Sequence, residues 1–260
     1  MSKVTDRLDN KQIIELAKKQ YEQSKQTNKF PANIIKLPSA GKVYAESSVL
    51  RNGELEMRHM TAYDEDILTN SSYINSGVVF DKLLESLIVT PGVDINELIY
   101  TDKESLIVSA RILGYGNEYK ITMKHPKNSD QIQANIDLSK LKFKSFDLES
   151  DENGCFEYNG KLHDNIIKYR FLSESEISTI DDNRTVSDYL IKCIYSLNGS
   201  TDKNKIEDFI KYELRAVDSR KLRTYISDNL PGLDPNTTAT GEDGSSHPAV
   251  FRFTVDIFRI

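Results

Sequence analysis

Cysteine is scarce in this chain: Cys155 and Cys193 are the only two among 260 residues, and they stand in unrelated contexts. That excludes a disulfide framework and leaves each as an ordinary thiol. Histidine is equally thin. His59, His125, His163 and His247 lie far apart, none beside a second His or Cys at the short spacings of zinc sites. No excess of basic charge exists either, with 34 Lys and Arg against 40 Asp and Glu and a net charge of -6. A dedicated nucleic-acid binder needs a surplus of cations to neutralise phosphates, so that class is set aside.

Long hydrophobic runs are also missing. Nothing approaches the roughly eighteen consecutive apolar residues of a membrane span, and Met1 to Asp6 offer no apolar core for a signal peptide. The expectation is a chain at work in the cytosol. Catalytic signatures are lacking as well. Gly114-Tyr115-Gly116 has no third glycine and follows a helical pattern, whereas a dinucleotide loop follows a strand, so it reads as a helix C-cap. Neither a Walker-type Gly-Lys-Ser/Thr nor a Gly-x-Ser-x-Gly elbow occurs. The acidic runs Asp64-Glu65-Asp66 and Asp181-Asp182 read as solvated helix starts. We therefore expect no catalytic residue, no cofactor and no metal ligand.

What is present is a foldable pattern. Hydrophobic residues make up 38% of the chain and charged ones 28%, polar for a globular protein but outside the regime of disorder. A thin apolar stripe of Ile13, Ile14, Leu16, Ala17 and Tyr21 predicts a helix from about Asn10 to Lys25 that gains stability by docking. Asn28 to Tyr44 reads as loop. Leu55 to Met60 alternates as a strand, ending at Thr61, which with Asp64 forms a capping-box pattern. The strongest helical face is Val78, Val79, Leu83, Leu84, Leu87 and Ile88, closed by Pro91-Gly92. Asp94 is placed to cap a turn, and Asp102 to cap a helix carrying Leu106, Ile107, Ala110, Ile112 and Leu113.

The period then changes to two. Tyr119, Ile121 and Met123, followed by Ile132, Ala134, Ile136 and Leu138, predict a β-hairpin. Phe143, Phe146, Cys155 to Tyr158 and Ile166 to Phe171 suggest further strands, with Asn153-Gly154 and Asn159-Gly160 as turns. Helix resumes from Ser173, with a continuous stripe from Val186 to Leu197 and another from Ile206 to Ile226. A Gly/Ser/Thr/Asp-rich linker from Asp234 to His247 leads to a terminal strand, Phe251 to Phe258.

These readings combine into an α+β protein: an α-rich N-terminal region with an antiparallel β-hairpin, then a helical C-terminal region and a terminal β-strand. The divisions are residues 1–36, a helix and linker; 37–172, an α+β domain; 173–233, a helical region; and 234–260, a flexible linker and C-terminal strand. Phe251, Phe253, Val255, Ile257 and Phe258 are the candidate partner-binding residues, since a strand on a linker can either add to another chain's sheet or complete its own.

Three stretches carry a family likeness. They are Leu37-Pro38-Ser39 with Gly41-Lys42 and Tyr44; Leu55-Glu56-Met57-Arg58 with Met60-Thr61-Ala62 and Asp64 to Asn70; and Asp102-Lys103, Leu106, Ala110-Arg111, Tyr115-Gly116 and Glu118-Tyr119. In order and type, from about Leu37 to Leu138, they resemble the baseplate hub proteins of T4-like bacteriophages and their assembly relatives. In those relatives the hairpin often carries Cys-Pro-x-x-Cys; here His125-Pro126 stands without cysteines, so no zinc ribbon carries over. The resemblance implies a non-catalytic protein that builds the central hub of a contractile-tail baseplate by binding other hub proteins. It acts as an assembly chaperone in the host cytoplasm or stays in the virion tail as a structural subunit. Charge and hydropathy add the expectation of no membrane-spanning segment and no nucleic-acid partner.

Overall fold

The computed structural model describes residues 32–125, 131–160, 162, 165–180 and 185–258. The helix expected over Asn10 to Lys25, the hairpin tip after His125, His163 and Asp181-Asp182 lie outside them.

The fold is organised around one helix. Helices α1 (Ala62–Thr69), α2 (Ser71–Asn75) and α3 (Val79–Leu87) lead to α4 (Tyr100–Tyr115), which buries Leu106, Ile107, Val108 and Ala110 together with Asp102, Lys103 and Arg111. A helix buried on so many sides must find partners for its charged side chains. Those partners come from distant parts of the chain.

Strand β1 (Asn33–Lys36) pairs antiparallel with β2 (Glu54–Met57), Asn33 opposite Met57 and Lys36 opposite Glu54. β1 falls in the stretch read as loop. At four residues, beside Pro31 and with Ile34 exposed, it has too little alternation to register as a strand. β3 (Glu118–Lys124) and β4 (Gln131–Asp137) form the expected hairpin, with Tyr119 opposite Ile136 and Ile121 opposite Ala134. A short sheet of β5 (Phe156–Glu157), β6 (Ile167–Tyr169) and β7 (Ile194–Leu197) packs an aromatic cluster of Phe146, Phe156, Tyr169 and Phe171. Phe143 and Phe146 lie outside regular strands, Phe143 making a single bridge to Leu233.

The helical third contains α5 (Glu174–Ser178), α6 (Val186–Cys193), α7 (Lys203–Asp208) and α8 (Ala216–Asp228), with a π-helical turn over Phe209–Glu213. Ser173 and Glu176 close a capping box on α5. The stripe from Val186 to Leu197 divides: α6 ends at Cys193, and Ile194 to Leu197 become β7 because a sheet edge at β6 takes them up.

The chain end departs furthest from its sequence reading. The stretch read as a linker forms β8 (Asn236–Gly241) and β9 (Ser246–Val250), a hairpin that joins β4 to give an antiparallel sheet in the order β3-β4-β8-β9. No strand forms over Phe251 to Phe258. That segment runs as coil into a 3-10 turn at Val255–Phe258. The turn residues Asp243-Gly244 serve a hairpin, with Gly244 at φ 79, so a composition typical of linkers here encodes a tight turn. The sheet edge at β4 is thereby filled from β8, and the aromatic residues that follow fold back onto α4. A single hydrophobic cluster runs from Leu37 to Ile257.

Candidate functional site

The three motif stretches meet at α4. Asp102, within its first turn and fully buried, accepts hydrogen bonds from the Ser39 amide (3.1 Å), the Ser39 hydroxyl (2.6 Å) and the Tyr44 hydroxyl (2.7 Å). The Tyr44 oxygen in turn accepts from the Ile99 amide at 3.3 Å, satisfying an N–H at the helix start. Asp102 was expected to cap α4. Instead the helix begins two residues earlier, at Tyr100, and Asp102 reaches sideways to hold the Leu37 to Tyr44 loop. Burial pushes the Asp102 carboxyl above its ordinary value, opposed by the Ser39 and Tyr44 hydrogen bonds. Tyr44 is raised well above its own, first by burial and then by the neighbouring carboxylate.

The glycine of this loop is held by backbone. Gly41 sits at φ 78, and a Cβ there would lie 2.2 Å from the Arg51 carbonyl oxygen. The guanidinium of Arg51 donates to the carbonyls of Lys42 (3.0 Å) and Tyr44 (2.9 Å) and to the Ser150 hydroxyl (2.7 Å). The loop is thus locked from three sides.

A second knot forms in the next motif. Arg58 donates both terminal nitrogens to Asp64 at 2.7 and 2.8 Å, and Asp64 also accepts from the Thr61 amide and from Ser86. Asp64 is therefore fully buried and bonded, not the solvated helix start read from the acidic run. Burial pushes its carboxyl up, yet the hydrogen bonds from Arg58, Thr61 and Ser86 outweigh it and leave the pKa lowered. Lys103 bridges Asp81 and Glu174, tying α4 to α3 and α5.

Arg111 makes the third knot. It donates to the carbonyls of Gly116 (2.8 Å), Glu118 (3.1 Å) and Ile257 (3.1 Å), fastening the start of β3 and the end of the chain to α4. Of the candidate partner-binding residues, Phe251 and Ile257 are buried in the protein's own core. Phe253 and Phe258 are half-buried against Phe80, with ring centroids at 5.9 and 6.1 Å, and Val255 opens the turn. The segment packs on its own fold, with Phe253 and Phe258 half-buried and Arg252, Thr254 and Asp256 exposed.

Two contacts had no signal in the sequence. His125 and His247, separated by most of two hairpins, bring their rings to 5.1 Å, and Ser245 Oγ lies 2.6 Å from His247 Nε2. Among the described residues no three or more metal-capable side chains converge. Both cysteines are free and buried, and burial pushes each thiol up to about 12, which makes them poor nucleophiles.

The motifs therefore build a scaffold, and comparison with known proteins identifies its family. No helix among the described residues is long and apolar enough to cross a membrane. Neither a curated protein nor a solved structure matches the chain. A family model described as T4 bacteriophage base plate protein matches residues 31–259, nearly the whole chain, and the protein belongs to that family.

Proposed function

We propose that this baseplate-family protein is an assembly factor for the central hub, acting as a chaperone that binds other hub proteins. The observation that carries the reading is the family match over residues 31–259, together with motif residues that are spent on internal hydrogen bonds. With Ser39, Asp64, Asp102 and Arg111 engaged internally, recognition falls to other side chains. The contact proposed is the C-terminal segment, where Arg111 and the buried side chains of Phe251 and Ile257 hold the backbone while the half-buried Phe253 and Phe258 meet the partner. Half-buried aromatic residues on a fixed backbone lose little side-chain entropy on binding, which suits a protein contact.

Co-purification with candidate hub proteins tests the contact. The double variant Phe253→Ser, Phe258→Ser is expected to lose the partner while keeping its helical signal. Unchanged capture would remove this segment as the contact. Composition of purified tails tests the role: an assembly factor is absent from finished particles, and a stoichiometric band in them would make the chain a structural hub subunit instead.

A further inference from the structure

A groove of about 820 Å³ opens between α1, α2, α3, the end of α4 and the C-terminal turn. Leu68, Ile74, Val79, Phe80 and Phe258 give it apolar walls, and its charged lining residues are Glu65 and Asp256. Ile74 is 51% exposed there, an apolar side chain left open among acids. Such a surface calls for an occupant with an apolar stripe and a basic flank.

The chain carries one. Residues 1–31 contain Lys3, Arg7, Lys11, Lys18, Lys19, Lys25 and Lys29 against Asp6, Asp9, Glu15 and Glu22, a basic excess in a protein of net charge -6. Within them Ile13, Leu16, Ala17 and Tyr21 make a stripe too thin to sustain a helix without a docking surface. The point of entry is close to the groove. The Asn33 side-chain nitrogen is 3.1 Å from His59 Nε2, and His59 Nδ1 is 3.0 Å from the Leu113 carbonyl oxygen, two residues before the groove residue Tyr115. Six residues of extended chain, 26–31, reach about 20 Å from that entry point.

We infer that the groove is the docking site of the chain's own residues 10–25, their apolar stripe on Leu68, Ile74 and Phe80 and their basic flank toward Glu65 and Asp256. The inference concerns the free chain; Phe258 lines the groove and also belongs to the proposed partner contact, so a hub protein bound there would compete with residues 10–25. Tethering makes the contact intramolecular, so a modest surface suffices to hold it.

Cross-linking in the full-length chain tests it without any partner present. Lys18→Cys paired with Thr69→Cys, at the exposed groove rim, is treated with a short bis-maleimide; Cys155 and Cys193 are buried and serve as silent thiols. Rapid cross-linking within one chain is expected, at least tenfold faster than for Lys18→Cys with Tyr212→Cys, a highly exposed site on the π-helical turn and away from the groove lining. Adding Leu16→Glu, which lies outside the described core, should abolish the advantage, and Glu65→Lys with Asp256→Lys should reduce it several-fold. Equal rates at Thr69 and Tyr212, or no reaction at Thr69, would overturn the inference. Cross-links found only between chains would also overturn it, in favour of a second copy as the occupant.

Discussion

The two ends of α4 hold distant chain in different ways. At its N-terminal end Asp102 binds the side chains of Ser39 and Tyr44, so both sides of the contact are written in residue types. At its C-terminal end Arg111 binds backbone carbonyls of Gly116, Glu118 and Ile257, and any residue could supply them. The first kind of contact leaves a motif in the sequence. The second leaves only its donor.

That difference explains which parts of the fold were legible. The capping box at Thr61, the helix start at Ser173, the hairpin β3-β4 and the α3 face follow local rules, and each forms where its pattern predicts it. The motif residues were visible as a set, but their distances were not: nothing in the spacing says that Ser39 reaches Asp102, or that Asp64 is buried beneath Arg58. The chain end was misread because its strands are made by long-range pairing. Ala239 faces Ile136 across β4 and β8, and only that pairing turns a polar, glycine-containing stretch into sheet. The aromatic residues after it alternate as a strand would, yet with the β4 edge already taken they pack on Phe80 and Tyr115. The candidate site divides in the same way: Phe253 and Phe258 are visible in the sequence by type, whereas the groove beside them, assembled from four helices and a turn, has no sequence signal.

The contrast can be broken from either side. Gly41→Ala should have the largest effect, because it combines a left-handed backbone with a Cβ inside the Arg51 carbonyl; thermal or urea unfolding should show a loss of about 3–4 kcal/mol. Asp102→Ala strips partners from two buried hydroxyls and an amide, and a loss of about 3 kcal/mol is expected. Arg111→Met keeps the volume and removes the carbonyl clamp. Its expected cost is smaller, about 2 kcal/mol, and hydrogen exchange should quicken first around the Ile257 turn while β1-β2 stays protected. Simultaneous loosening at both ends would merge the two anchors into one.

The smallest effect is one of pH. Asp64 has a lowered pKa in the fold, so its contribution is present above the unfolded value of about 3.9 and is lost as pH falls through the folded one. In Asp64→Asn the stability curve should flatten below about pH 4 by at most one proton's worth of slope, about 1.4 kcal/mol per pH unit. A slope unchanged from wild type would assign the acid sensitivity to other carboxylates.

The claim beneath all of this is that the family motif builds the frame and the aromatic chain end meets the partner. The most direct measurement compares the affinity of a purified hub protein for Ser39→Ala and for Phe253→Ser with Phe258→Ser, at a temperature where both remain folded. The account predicts a lowered Tm with wild-type affinity for the first and at least tenfold weaker binding for the second; weakened binding by Ser39→Ala beside wild-type binding by the aromatic variant would contradict it.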